Sequence, residues 1–256
     1  MKASTTSQKH KPWQIALAGL GWLAVWQAAS ALLGQEMLLA SPIATGAQLC
    51  RLLRESFFWH SVGFSLSRVT AGFFLAFAVG TLLATAAYKV KALAIFLSPF
   101  MSVVKASPVA SYIILCLLLL PLQSLSVCIS FLMSLPVVYT NVLQGLLSTN
   151  RKLLEMAAVF KVPAPKRILY IYFSELMPFL LSACSLSLGL CWKAGIAAEV
   201  IGLPLGSIGE QMYMAKIYVD TKTLLAWTVV VVAVSFLLER AFLFLLQKIQ
   251  AVVERR

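Results

Sequence analysis

The sequence predicts an all-α polytopic membrane protein with about six transmembrane helices. Three observations predict it. Apolar residues make up 61% of the 256-residue chain and charged residues only 12%, with a mean hydropathy of +0.89. Soluble domains carry about 45–50% and about 25% respectively. A soluble fold of this length would leave large apolar patches exposed, and a disordered chain would be polar and poor in aromatics. The apolar residues also fall in long runs, at about 13–33, 61–87, 93–120, 123–147, 178–198 and 223–247. Lysine and arginine, finally, gather in alternate connections between those runs.

The first run follows the basic start MKASTTSQKHKPW. It is near the roughly 20 residues that span hydrocarbon and too long for a signal-peptide core. It therefore reads as a retained helix behind a tail over 1–12. Between Gly34 and His60 the Ser41–Pro42 turn signal precedes Leu49, Leu52, Leu53 and Phe57, all on one side. That pattern suits a helix lying on the membrane surface. The second run is uninterrupted. Pro99, Lys105 and Pro108 break the third, so a short bent helix is expected before a true span that begins near Pro108. Pro121 divides the third run from the fourth. The sixth run leads to a C-terminal tail over 248–256. With no repeat and no low-complexity linker, residues 13–247 read as one transmembrane domain.

Charge placement orients the set. With the N-terminus inside, the inner segments hold Lys2, Lys9, Lys11, Lys89, Lys91, Arg151, Lys152, Lys161, Lys166, Arg167, Lys248, Arg255 and Arg256. The outer segments hold Arg51, Arg54, Lys216 and Lys222. Cytoplasmic loops collect positive charge, so both termini are expected in the cytoplasm. This asymmetry accounts for the net charge of +12 without nucleic acid as a partner. The five cysteines form no CxxC or Cys/His cluster, and the histidines are His10 and His60. A disulfide framework, a metal site or an intramembrane hydrolase has little material here. No GxxxxGK[ST] run is present, so any energy from ATP must come from a partner.

The longest inner connection, STNRKLLEMAAVFKVPAPKRILYIYFSELMP over 148–178, is built as a folded unit. Ser148, Thr149 or Asn150 can cap a helix, on which Leu153, Leu154, Ala157, Ala158 and Val162 recur at helical spacing. Pro163 stops that helix, and Pro165 suits the first turn of the next. The expected shape is a short helix, a sharp corner, and a second helix leading into the membrane. Lys166 and Arg167 oppose the dipole of that second helix, so anionic headgroups or acidic groups of a protein partner must favour them. From these physics the loop is either an interfacial hairpin or a docking element.

Residues of this loop resemble the EAA element of permeases of ATP-binding-cassette importers, with Glu155-Met156-Ala157-Ala158 in the EAA place and Pro178 at its close. Lys161 stands where that family usually has glycine, and Ser174 where a proline is common. Leu39-Ala-Ser-Pro42 is similar to the family's LPSP element, and Ser65-Leu-Ser-Arg-Val-Thr-Ala-Gly72 to its SLxRxxxG element. Ser98-Pro99 and Ala106-Ser-Pro108, Ala197-Ala-Glu199 and Gly206-Ser-Ile-Gly209 also resemble family segments in the right order. The subgroup these segments resemble is the taurine/sulfonate/nitrate/bicarbonate type, which also serves some vitamins and vitamin precursors.

The resemblance implies a type I importer permease fold in a bacterial inner membrane. It implies a second permease copy and two ATPase subunits that use ATP and Mg. It also implies an extracytoplasmic solute-binding protein that delivers a small solute, most simply an anion. Membrane lipid surrounds the assembly. The chain itself is then a transport subunit without a cofactor, and the rival class is an ATP-independent carrier. The resemblance assigns ATPase coupling to Glu155, Met156, Ala157, Ala158, Lys161, Val162 and Pro163. Ala157 and Ala158 are small enough for close approach, and Glu155 positions the helix unless it pairs with Arg151 or Lys152.

Charges inside a membrane are costly and usually face a bundle interior or water. Arg68, Lys193 and Glu199 qualify, and with Pro108, Gly206 and Gly209 they are the candidates for a translocation pathway or gate. Lys193 and Glu199 are six residues apart, about 240° around a helix, so they should not pair within one chain. Arg68 and Lys193 either ease an anion's passage or are structural, bonded to carbonyls or snorkelling. The GxxxGxxG run from Gly202 to Gly209 follows a membrane helix, so it reads as a tight, closely packed turn. Tyr213, Tyr218 and Trp227 suit an interfacial aromatic belt.

Overall fold

The computed structural model describes residues 12–254; the N-terminal tail over 1–11 and the last two residues lie outside them. Among the described residues there are helices and turns and no strand. Helix α1 (Pro12–Leu33) carries its apolar residues on all sides and exposes most of them. It is tied to the chain after it by Trp26, whose indole donates to the Ala40 carbonyl at 3.1 Å, and by Ser30, which donates to Leu39 at 2.8 Å. Ser41 then caps α2 (Pro42–Leu52), accepting from the Ala44 N–H at 3.2 Å, with Pro42 in the first turn. The amphipathic stretch does not continue to Phe57 on a surface helix, as its spacing suggests. α2 ends at Leu52, and Leu49 and Leu52 turn inward onto Phe58 and Trp227.

Helix α3 (Ser56–Lys89) has 34 residues, about 51 Å at 1.5 Å per residue, so it exceeds the roughly 30 Å of hydrocarbon. Gly72, Ala76, Gly80 and Ala84 repeat every fourth position on its buried face. Small residues at that spacing let two backbones approach. A Cβ on Gly72 would sit 2.7 Å from Cβ of Ser130, and one on Gly80 would sit 3.0 Å from Val138. Residues 72 and 80 of α3 thus meet 130 and 138 of α6 (Leu125–Ser148), so the two helices run parallel.

That parallel pairing decides the third run. The connection carries the chain from the level of Ala87 and Leu146, which share one apolar cluster, back to the level of Ser126. It does so as α4 (Lys91–Ala106) and α5 (Val109–Leu119), bent by 104° at Ser107–Pro108. α4 packs Met101 near Leu135 to Leu146, whereas α5 packs Ile113 and Cys116 near Leu125 and Ile129. The pair thus returns the chain along α6 as a broken candidate span, with its break near the middle of that helix. The piece before Pro108 is longer than the piece after it, contrary to the expected short lead-in. Pro99 stays inside α4 although it stands mid-helix, where it costs one backbone hydrogen bond without ending the helix.

Past α6, Asn150 caps α7 (Arg151–Val159) by accepting from the Lys152 N–H at 3.0 Å. A corner at 160–163 leads into α8 (Ala164–Arg167), a π-turn over Ile168–Tyr172 and α9 (Phe173–Gly202), which together make one long helix. Its membrane segment begins well before residue 178, and Pro178 lies within α9. α10 (Ile208–Ile217) follows a tight turn, and α11 (Thr221–Glu254) carries residues 248–254 as helix where a tail was expected. α1, α3, α6, α9 and α11 are each long and apolar enough to cross a membrane, and the bent α4–α5 pair, counted as one span, makes six candidate crossings. With six, the two ends of the described chain fall at the α7 end of the bundle, opposite α10.

The core is α6 held between α3 and α9. Ser126, Ser130 and Ser134 form a fully buried stripe on α6. Ser130 donates to the Cys191 carbonyl at 3.2 Å, and Ser134 donates to the Ser187 carbonyl at 3.5 Å. The partners descend along α9 as the donors ascend α6, so these helices are antiparallel. A second cluster joins α2, α3, α9 and α11, where Trp227 is fully buried and stacks on Phe58 at 5.0 Å. Trp227 is therefore a core residue and not part of an interfacial belt, whereas Tyr218 is exposed.

Candidate functional site

Two regions at opposite ends of the bundle hold most of the candidate residues. At the α7 end, the corner closes in a Schellman pattern. The Val162 N–H donates to the Ala157 carbonyl at 2.9 Å and the Lys161 N–H to Ala158 at 3.1 Å. Lys161 is left-handed, with φ of +50°, so a lysine adopts the backbone that glycine serves most easily. Pro163 then caps α8. Ala157 is buried, while Glu155, Met156, Ala158, Lys161 and Pro163 are exposed and Val162 is half-buried. Among the described residues Glu155 forms no ion pair with Arg151 or Lys152. Val159 and Phe160, outside the candidate set, expose 77% and 76% of their surface. A rigid, capped helix thus presents an apolar tip beside a free-standing charge.

The other end is organised by Glu199. Its carboxyl group is fully buried. Ser65 of α3 donates to Oε2 at 2.6 Å, Ser126 of α6 donates to Oε1 at 3.0 Å, and the Gly209 N–H of α10 donates to Oε2 at 3.3 Å. The Ser65 oxygen also accepts the Ile208 N–H at 2.9 Å. A buried carboxyl group is tolerated because each oxygen is met by donors. Gly209 lies so close that a Cβ there would collide with the Glu199 backbone. Gly206 has φ of +82°, and its N–H donates to Oε2 of Glu210 at 2.6 Å. Ser207 caps α10 by accepting from the Glu210 N–H at 3.0 Å. The glycine run is thus a turn that seats α10 on Glu199.

Arg68 lies one turn beyond Ser65 on α3. It donates to the Gln123 carbonyl and sits 4.1 Å over the Phe64 ring. It therefore binds the short turn just before α6 rather than Glu199 directly. Lys193 points elsewhere. It lines a groove of about 340 Å³ with Trp192, Val231, Phe236 and Glu239. Pro108 is exposed at the break of the third crossing. The structure therefore brings Glu199, Gly206 and Gly209 together, with Arg68 beside them, and leaves Lys193 and Pro108 apart.

The sequence reading missed three contributors. Ser65 and the Ser126–Ser130–Ser134 stripe carry the polar contacts, and the four-residue spacing of the serines was the available signal. Glu239 lies within the sixth apolar run and accepts from Ser185 at 2.6 Å; its charge inside that run was the signal. Lys222 and Glu36 pair at the α10 end, where Thr221 and Thr223 also hold the α1–α2 segment.

Comparison with known proteins agrees with this architecture. Residues 71–252 match the family model described as "Binding-protein-dependent transport system inner membrane component". A relative from Bacillus subtilis (strain 168), named "Putative aliphatic sulfonates transport permease protein SsuC", is 23% identical over 228 residues. These cover 88% of this chain and 82% of that protein. With most of its length matched and five to six candidate membrane spans, the chain belongs to the inner-membrane permeases of binding-protein-dependent transport systems, the membrane subunits of ATP-binding-cassette importers.

Proposed function

We propose that this chain is the transmembrane subunit of an ATP-driven importer that moves a small anion, an aliphatic sulfonate above others, inward by alternating access. Two copies would stand on two ATPase subunits that bind ATP and Mg, and a solute-binding protein would deliver cargo. In this reading α7, both termini and the basic loops face the cytoplasm, and α10 faces the binding protein. The sulfonate assignment takes its support from the named relative. The coupling assignment takes its support from one observation, the exposed apolar tip of Met156, Val159 and Phe160 on a capped helix.

The mechanical argument runs through rigid connections. A loose loop would absorb the movement of an ATPase, whereas a capped helix transmits it. α7 joins the end of α6 to the start of the α8–α9 helix. Those two long helices are bonded along their length by Ser130 and Ser134 and at the far end by Ser126 and Glu199. A shift of α7 would therefore move α6 and α9 as a unit and reach α10 through Glu199.

The test is co-purification of the tagged chain from its native membrane in mild detergent, followed by ATPase assay and uptake of a labelled alkanesulfonate. An ATPase subunit should be recovered, and uptake should require ATP. Glu155→Arg should lower transport-coupled hydrolysis while leaving the thermal unfolding midpoint unchanged. Uptake that persists without ATP, or a chain recovered alone under conditions that preserve a known transporter complex, overturns the reading.

A further inference from the structure

Lys105 occupies a position no feature of the fold explains. It lies at the end of α4, one turn before the break, and its ammonium donates to the Thr140 hydroxyl at 2.7 Å. Thr140 stands eight residues from the end of α6 and fifteen from its start, about 12 Å and about 22 Å along the axis. With a hydrocarbon layer about 30 Å thick centred on α6, the amine would lie inside it, nearer the α7 end than the α10 end. A lysine at the centre of a span costs roughly 2.5–3.5 kcal/mol, and one part-way in costs less, unless it meets water or a partner.

Of the other cations within the crossings, Arg68 has the Gln123 carbonyl and the Phe64 ring, while Lys193 and Arg240 each line a groove with Glu239 without forming an ion pair among the described residues. Among the described residues no carboxylate lies within ion-pair distance of Lys105, and its one bond uses one of three N–H donors. Around it lies a groove of about 300 Å³ between α4 and α6, with Ser98, Ser102, Tyr139 and Thr140 beside Met101 and Leu143. Ser98, Ser102 and Lys105 follow one another at four and three residues, so they form one stripe of α4. A polar stripe exposed at mid-depth is poorly matched to lipid chains.

We propose that the α4–α6 groove is an anion-binding station on the transport pathway, with Lys105 as its countercharge and Thr140 as the residue that positions the amine. The inference rests on the importer reading and narrows it to one face of the bundle. The groove's volume is at the lower end of the range for small-ligand sites, about 300–1,000 Å³. The two remaining N–H groups of Lys105 suit the oxygens of a sulfonate, in charge-assisted hydrogen bonds.

Two measurements test it in the reconstituted complex with its ATPase and binding protein. Lys105→Gln should lower ethanesulfonate uptake by about 10- to 100-fold, the effect of losing a charge-assisted hydrogen bond, and Lys105→Arg should restore most of it. Variants are compared only where the complex elutes intact. Equal uptake by Lys105→Gln and wild type overturns the proposal, whereas a wild type without ATP-dependent uptake overturns the importer reading instead. The second measurement does not depend on that reading. In a background with the exposed Cys50 replaced by serine, Ser102→Cys should react with an anionic, water-borne methanethiosulfonate, and ethanesulfonate should slow the reaction. Labelling no faster than at Leu118→Cys, on an exposed apolar face of α5, overturns the groove as a water-filled anion site.

Discussion

Ser65 donates a 2.6 Å hydrogen bond to Oε2 of Glu199, across 134 residues of chain, and the same hydroxyl oxygen accepts the N–H of Ile208. One side chain of α3 therefore holds both the end of α9 and the first turn of α10. The arrangement concentrates the cost of mutation at Glu199. Its removal strips partners from the Ser65 and Ser126 hydroxyls and from the Gly209 N–H at once. Glu199→Ala should lower unfolding stability in detergent by about 2–4 kcal/mol, since orphaned buried donors keep their full desolvation cost. Ser126→Ala removes one contact and should cost about 0.6 kcal/mol, the average for such bonds in a membrane. Equal losses in the two variants would show that the cost is not concentrated at Glu199.

Gly209 and Gly189 offer a paired test of close approach. A Cβ at Gly209 would strike the Glu199 Cβ and backbone, whereas at Gly189 nothing lies within 4 Å. Gly209→Ala should therefore destabilise by about 1–3 kcal/mol, as overpacking does. Gly189→Ala, inside α9, should be neutral or stabilising by up to about 1 kcal/mol. Thermal unfolding of both variants in the same detergent checks the contrast, and a neutral Gly209→Ala would mean that α10 can shift without loss.

The crossings were legible in the sequence because each is long enough to fill the hydrocarbon, and the corner after α7 because proline and an amide cap have local effects. The kinked third crossing was legible only in part. Pro99 and Pro108 look alike in sequence, yet Pro99 stays helical, because the outcome depends on what packs against α6. Trp227 was misplaced for a similar reason: a tryptophan near a helix end suits a belt, and only the tertiary partner Phe58 makes it core. The Glu199 cluster draws on four elements distant in sequence. No local pattern joins Ser65, Ser126 and Gly209, although the buried charge itself was visible as an anomaly within an apolar run.

Lys161 carries the corner in a left-handed conformation, with φ of +50°. For a residue with a Cβ this costs roughly 1–2 kcal/mol, so Lys161→Gly should relieve it at a site where the corner's bonds are already made. Amide hydrogen exchange over the peptide containing Lys161 and Val162 should slow by about fivefold or more, the equivalent of about 1 kcal/mol in local opening. A β-branched residue has greater difficulty in this region, so Lys161→Val should speed exchange. If glycine gives no added protection, strain at the corner is not stored in the lysine backbone.

Phe160 exposes 76% of its surface beside Val159 at 77%, on a helix whose buried side is represented by Ala157. Its ring contributes nothing to the bundle core, so Phe160→Ser should leave the unfolding midpoint of the isolated chain unchanged. Burying such a ring in a partner's groove is worth about 1.5–3 kcal/mol. Its loss should lower recovery of the ATPase subunit by about 10- to 100-fold in affinity. Phe96, equally exposed at 76% but on α4, supplies the control: Phe96→Ser should not change that recovery. Equal losses in both variants would place the defect in the membrane domain, and no loss in Phe160→Ser would move the docking surface away from the tip of α7.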